Sequence, residues 1–169
     1  MSLTTTRWDL SGTYDHPHWL AHVCSGLGDR GISVVSGQAV RQAAGAWAAH
    51  LDVDTSRAIV PVAEVDLTAI ALGARAGRDP VRLQLSSVEV TRQPDLMLRV
   101  DVSARDELGF LGRLLRRVSL YGLYPCEVGV STGDGVVHDR LVLTGMGASI
   151  PNEAVAQQLT DVLAAHVVR

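Results

Sequence analysis

Residues 15–22, DHPHWLAH, place one aspartate and three histidines within eight positions, and such groups bind metals or move protons. His18 and His22 are four residues apart, so a helix would place both on one face. Neither Glu nor Cys completes a ligand set, so we expect no metal and consider a solvated helix face or a ligand contact instead. His16 precedes Pro17, which favours an extended loop, where the imidazole lies at the surface or acts as an acid/base group.

The elements around this stretch form a helix with strands before and after it. Residues 6–14 alternate loosely as a strand. In residues 18–29 apolar side chains recur at helical spacing, and Gly31 suits the left-handed position that ends a helix. Strands over 32–40 and 46–53 follow. The His-rich stretch therefore lies where a strand passes through a tight loop into a helix.

The second half of the chain repeats this plan at an offset of about 91 residues. Asp15 is matched by Asp106 and Trp19 by Phe110. Either aspartate could cap its helix or contact a ligand, and the two roles are compatible. The other predicted elements are a helix from Pro61, strands over 82–91 and 96–103, a helix over 108–120 ending at Gly122, strands over 123–131 and 136–144 around a TGDG turn, and a helix from Pro151.

The element order, β-α-β-β-α-β twice, predicts an α+β protein of two ferredoxin-like modules, each an antiparallel sheet with helices on one face. We place the modules at residues 5–92 and 95–169. Residues 82–91 supply the fourth strand of the first module, whereas the last strand of the second is missing or reduced to a stub at 166–169. The other face of the sheet needs a cover, which a neighbouring module or a dimer could supply.

The composition argues against several functions, although a local basic patch could still exist. The formal net charge is −3, whereas nucleic-acid and anionic-membrane binders carry a positive excess. All 15 basic residues are arginines, so there is no lysine for a Schiff base or a phosphate loop. No apolar run is long enough to span a bilayer. We expect a cytoplasmic protein without a cofactor, and without nucleic-acid or membrane partners.

Residues 102–123, VSARDELGFLGRLLRRVSLYGL, resemble the opening of an ACT domain. In that pattern a strand leads to Asp or Asn, then to Gly, a hydrophobic pair, an amphipathic helix and Gly-hydrophobic. Asp106, Gly109 and Phe110 fill these places. DHPHWL in the first half is similar, but His18 stands where the family has Gly. The layout also resembles stand-alone tandem ACT regulators of the glycine-cleavage repressor type.

The resemblance implies a regulatory protein that forms a homodimer and binds an amino acid or a related carboxylate at subunit interfaces. The free N–H groups of a helix N-terminus attract a carboxylate, and a glycine there permits close approach. The implied ligand-binding residues are Asp106, Glu107, Leu108, Gly109, Phe110, Asp15, His16 and His18. Because His18 replaces the glycine, we expect the two loops to bind different things. If either loop is the family's amino-acid site, we expect it to be the second.

Two other functions stay open. One is a small biosynthetic enzyme of the cyclase or isomerase type, which would use His16, His18 or Asp15 as catalytic acid/base groups. The sequence contains no complete catalytic set, which favours the binding protein over the enzyme. The other is an interaction module that modulates a partner enzyme without a ligand of its own. Fold alone does not choose among the three.

Overall fold

The computed structural model describes residues 5–73 and 82–168. Within these ranges the chain forms seven strands and four α-helices. They are β1 (Thr5–Thr13), α1 (Trp19–Asp29), β2 (Ser33–Arg41), β3 (Ala46–Asp54), α2 (Leu67–Leu72), β4 (Ser87–Arg92), β5 (Leu98–Arg105), α3 (Phe110–Ser119), β6 (Leu123–Gly133), β7 (Val136–Gly145) and α4 (Glu153–Ala164). The predicted α+β class is confirmed. No helix of the described residues is both long and apolar enough to cross a membrane.

The described strands form one antiparallel sheet in the order β1-β3-β2-β6-β7-β5-β4. The two halves of the chain meet in its middle, where β2 pairs with β6 from Ser36↔Ser131 to Val40↔Glu127. α1 and α3 pack side by side, α2 packs against α1, and α4 packs against β4. The loops that precede α1 and α3 therefore both lie beside the central seam between the halves.

One face of the sheet builds the core and the other is polar. On β5, Val100 and Val102 are buried, whereas Asp101 between them is half-buried and accepts from Arg140 Nε at 2.6 Å. β3 alternates in the same way, as a period of two requires. The second face, which the sequence analysis expects to be covered, presents ion pairs to solvent and needs no apolar cover.

Residues 87–92 do not belong to the first half, and the prediction that they supply its fourth strand is wrong. β4 pairs with β5 from Ser87↔Ser103 to Arg92↔Leu98. The connection over 93–97 is short and is closed by the Gln93 N–H donating to the Met97 carbonyl at 2.9 Å, so the two strands form a hairpin. The C-terminal stub contributes an isolated parallel bridge, Leu85↔Val167, beside them.

The second helix of the first half is shorter than predicted. The run from Pro61 contains a 3₁₀ turn at Val62–Glu64, and α2 begins only after Asp66, whose side chain accepts from the Ala69 N–H at 2.9 Å. Residues 74–76 of the predicted helix lie outside the described ranges. In the second half, Asn152 caps α4 by accepting from the Val155 N–H at 2.9 Å.

Candidate ligand sites at the two loop–helix junctions

The loop before α1 folds back on itself instead of capping the helix with Asp15. The N-cap residue is His18, whose side chain makes no capping hydrogen bond, and Asp15 is exposed. The His18 N–H donates to His16 Nδ1 at 3.1 Å, and the Trp19 N–H donates to the His16 carbonyl at 3.1 Å. The interpretation of Asp15 as a plain N-cap is therefore wrong, and its carboxylate lies beside a cavity instead.

The loop before α3 is held by Arg113. Its guanidinium donates to Glu107 Oε2 at 2.9 Å and to the Leu108 carbonyl at 2.9 Å. The N-cap residue is Gly109 in the left-handed conformation, with φ of 75°, and it makes no side-chain cap. Asp106 is not a plain N-cap either: its N–H donates to the Gly135 carbonyl at 2.8 Å. This loop is thus tied to its own helix and to the β6–β7 turn.

Helix α1 approaches Gly109 closely. A Cβ added at Gly28 of α1 would lie 2.9 Å from the Gly109 Cα. The space left at this junction, the second-loop cavity, is about 20 Å³, which is room for about one water molecule. It is lined among the described residues by Cys24, Ile32, Ser33, Val34, Asp106, Glu107, Gly109, Phe110, Leu111, Gly112, Val130, Val137 and Asp139.

The equivalent space in the first half, the first-loop cavity, is about 310 Å³. Its aromatic wall is packed: the rings of Tyr14 and Trp19 stack at 4.2 Å between centroids, and Trp47 meets Trp19 edge-on at 5.2 Å. The described lining residues are Tyr14, Asp15, His16, Pro17, Trp19, Arg41, Trp47, Tyr124, Pro125, Thr144, Gly145, Met146, Gly147 and Ala148. Both halves of the chain therefore build this cavity.

His16 and His18 of the first loop and His22 of α1 come together, although no histidine cluster is predicted from the sequence. The ring centroids of His16 lie 5.3 Å from those of His18 and 5.0 Å from those of His22. His22 Nδ1 lies 3.2 Å from the Ala71 carbonyl, and His18 meets Tyr124 edge-on at 5.3 Å. Burial, then the charges of His16 and His22, lowers the pKa of His18.

Among the residues that the structure describes, no group of three or more His, Cys, Asp or Glu could hold a metal ion. His18 and His22 instead line a cleft of about 410 Å³ between the start of α1 and the end of α3, which we call the helix cleft. Of the predicted residues, the structure thus brings Asp15 and His16 to one cavity and His18 to another space.

Three residues at these sites are missed by the sequence analysis. Arg41 ends β2 and reaches the first-loop cavity, and Tyr124 reaches it from β6. Asp139 lies on β7 at a position where the alternation predicts an inward side chain, and it lines the second-loop cavity. The signal that could have identified Asp139 is an acidic residue at one of the alternate positions of β7 that are otherwise apolar and face inward.

Comparisons of the chain with protein-family models, with curated proteins and with solved structures found no match. The chemistry of the sites is therefore argued from their own residues. Two spaces carry that argument: the first-loop cavity with its aromatic wall, and the helix cleft beside the three imidazoles.

Proposed function

We propose that the chain consists of two ACT-like halves, of which the second is completed by β4. We propose that it binds an amino acid or a related small carboxylate in the first-loop cavity, because the second-loop cavity has room for about one water molecule. One observation carries this proposal. A cavity of about 310 Å³, within the usual range for small-molecule sites, is lined by the carboxylate of Asp15, the guanidinium group of Arg41 and aromatic rings. ACT modules typically bind amino acids at interfaces, and this cavity is shared by both halves.

The lining matches the chemistry of a free amino acid. The Arg41 guanidinium can bind a carboxylate through two parallel hydrogen bonds, whereas Asp15 can accept from an ammonium group. Tyr14 and Tyr124 are half-buried and offer an apolar surface with a polar tip to the ligand's side chain. The charged groups fix orientation, and the rings supply the buried area.

Because residues of both halves line the cavity, an occupied cavity favours one arrangement of the halves over others. A ligand shifts a conformational equilibrium only through its different affinity for the two states. We propose that occupancy is transmitted in this way to a protein partner or to a second copy of the chain. The homodimer expected from the resemblance is part of this proposal, and light scattering tests it directly.

The hydrogen bond at His16 argues against this residue as a general base. His16 Nδ1 accepts from the His18 N–H, so the neutral imidazole carries its proton on Nε2. Nε2 is then a hydrogen-bond donor and Nδ1 is occupied, which leaves no free nitrogen for a general base. A donor at this place suits an anionic ligand instead.

Calorimetric titration of the dialysed protein with the amino acids and with small carboxylic acids tests the proposal. We expect one class of ligand to bind, and a ligand at 100 times its Kd to add about 2.7 kcal/mol to the free energy of unfolding. Asp15→Asn and Arg41→Gln should each weaken binding about 10-fold or more, since a hydrogen bond to a charged group contributes about 1.5–3 kcal/mol.

Matched controls are Asp9→Asn on β1 and Arg105→Gln on β5, which are exposed and lie outside the cavity lining. Both should bind like the unmodified protein. Binding that survives both cavity substitutions unchanged, or no binding of any amino acid or carboxylate, would contradict the proposal.

A further inference from the structure

The helix cleft carries a second, chemically different set of groups. Its volume of about 410 Å³ lies within the range of small-molecule sites. The described lining residues are His18, Ala21, His22, Arg116, Arg117, Ser119 and Leu120. Every ionisable side chain in this described lining is an imidazole or a guanidinium. An anion in the cleft would therefore meet hydrogen-bond donors and positive charge.

The opposite end of the same helix pair is closed. A Cβ added at Gly28 would lie 2.9 Å from the Gly109 Cα, and a Cβ added at Gly112 would lie 2.5 Å from Ser25 Oγ. Separations this short leave no room for a side chain, so α1 and α3 meet there almost backbone to backbone.

The offset of about 91 residues between the halves maps this closed contact onto the cleft. The corresponding pairs are Gly109 and His18, Gly28 and Ser119, Gly112 and Ala21, and Ser25 and Arg116. The second member of each pair lines the helix cleft. At this end larger side chains stand at the corresponding positions, and an open basic cleft lies where the other end has a closed glycine contact.

The two helix ends at the cleft act on an anion in opposite directions. α1 is 11 residues long and directs its N-terminus, the positive end of its dipole, to the cleft. The carbonyl groups at the end of α3 would repel an anion, but those of residues 116–119 already accept hydrogen bonds. The donors are Ser119 Oγ at 2.8 Å and the N–H groups of Leu120, Tyr121 and Gly122 at 3.3, 3.1 and 3.0 Å.

We propose that the helix cleft binds a phosphate monoester of an apolar group. The phosphate oxygens accept from His18 and from the guanidinium groups of Arg116 and Arg117, which match such oxygens in pairs. Both arginines interact elsewhere in the chain as well, and the five N–H donors of each serve more than one partner. The apolar group lies on Ala21 and on Leu120, which is 73% exposed.

Phenyl phosphate, titrated by calorimetry into protein treated with a chelator, tests this site. We expect it to bind at least 10-fold more tightly than inorganic phosphate, which lacks the apolar group. We expect the same margin over phenol, which lacks the phosphate. Benzoate, with one negative charge, should bind more weakly than phenyl phosphate. Binding only in the presence of added zinc would overturn the proposal, because the imidazoles would then be metal ligands.

His18→Gln and Arg116→Gln should each weaken phenyl phosphate binding about 10-fold or more. His50→Gln and Arg105→Gln, at exposed positions outside the cleft, are the matched controls. Asp15→Asn should leave this binding unchanged, which separates the result from the first-loop cavity. Circular dichroism and urea midpoints establish that each variant is folded. No binding to the unmodified protein, or equal binding by both folded cleft variants, would overturn the proposal.

Discussion

Asp139 is the most unusual single residue of the core. It is 3% exposed, and among the described residues neither of its carboxylate oxygens has a hydrogen-bond partner. Burial, then the nearby charge of Asp106, raises its pKa from 3.8 to about 7. A buried charge without a partner costs free energy, so this carboxylate destabilises the folded state wherever it is ionised.

The raised pKa predicts how stability depends on pH. Below about pH 4 Asp139 is protonated in the folded and the unfolded chain. The free energy of unfolding then carries no penalty from a buried charge at this residue. As pH rises towards 7 the unfolded chain loses the proton more readily, so the free energy of unfolding falls and levels off above the folded pKa. A pKa difference of this size corresponds to roughly 4 kcal/mol. Asp139→Asn should therefore be the more stable protein at pH 8, with no advantage at pH 4.

Urea midpoints between pH 4 and 8 measure this difference. The matched control is Asp134→Asn in the β6–β7 turn, where the residue is exposed and has a φ of 53°, a conformation that Asn tolerates. The control should keep the pH dependence of the unmodified protein. Parallel curves for Asp139→Asn and the unmodified protein would show that Asp139 does not titrate as argued.

At the scale of the elements, Gly112 sets how closely α1 and α3 pack. An alanine within an exposed helix would add about 1 kcal/mol over glycine, but a Cβ here would lie 2.5 Å from Ser25 Oγ and 2.7 Å from its backbone nitrogen. Overpacking of this kind costs about 1–3 kcal/mol. We expect Gly112→Ala to be destabilising by up to about 2 kcal/mol, as measured by urea unfolding.

Gly129→Ala is the matched control, because it makes the same change in β6 where a Cβ would meet nothing within 4 Å. It should leave stability unchanged or slightly higher. A Gly112→Ala protein as stable as the control would mean that the helix pair separates without cost. The closed contact would then not define the spacing of the helices.

The sequence predicts the elements better than it predicts their partners. Gly31 and Gly122, with φ of 73° and 67°, end their helices as predicted, because a left-handed residue has a strong local preference for glycine. The partner of β4 depends on the short connection at 93–97 and on the packing of β4 against α4. The pattern of residues within β4 does not encode which strand it pairs with. The cavities depend on which side chains face each other across the seam, such as Tyr124 and Tyr14.

At the scale of the whole molecule, the continuous sheet and the α1–α3 contact predict that both halves unfold together. All three tryptophans, Trp8, Trp19 and Trp47, lie in the first half. Leu141 on β7 is fully buried in the second half. Leu141→Ala should cost about 2–5 kcal/mol, and the tryptophan fluorescence should report the whole of that loss although no tryptophan is near the change in sequence.

Urea unfolding followed by tryptophan fluorescence and by far-ultraviolet circular dichroism tests this coupling, because coincident midpoints are the mark of a two-state transition. Both midpoints should fall by the same amount in Leu141→Ala. Ile150→Ala, which alters a 55% exposed residue of the same half, should shift neither. If the dichroism midpoint fell while the fluorescence midpoint stayed, the halves would be independent units. The first-loop cavity, which both halves line, could then not couple a bound ligand to their arrangement.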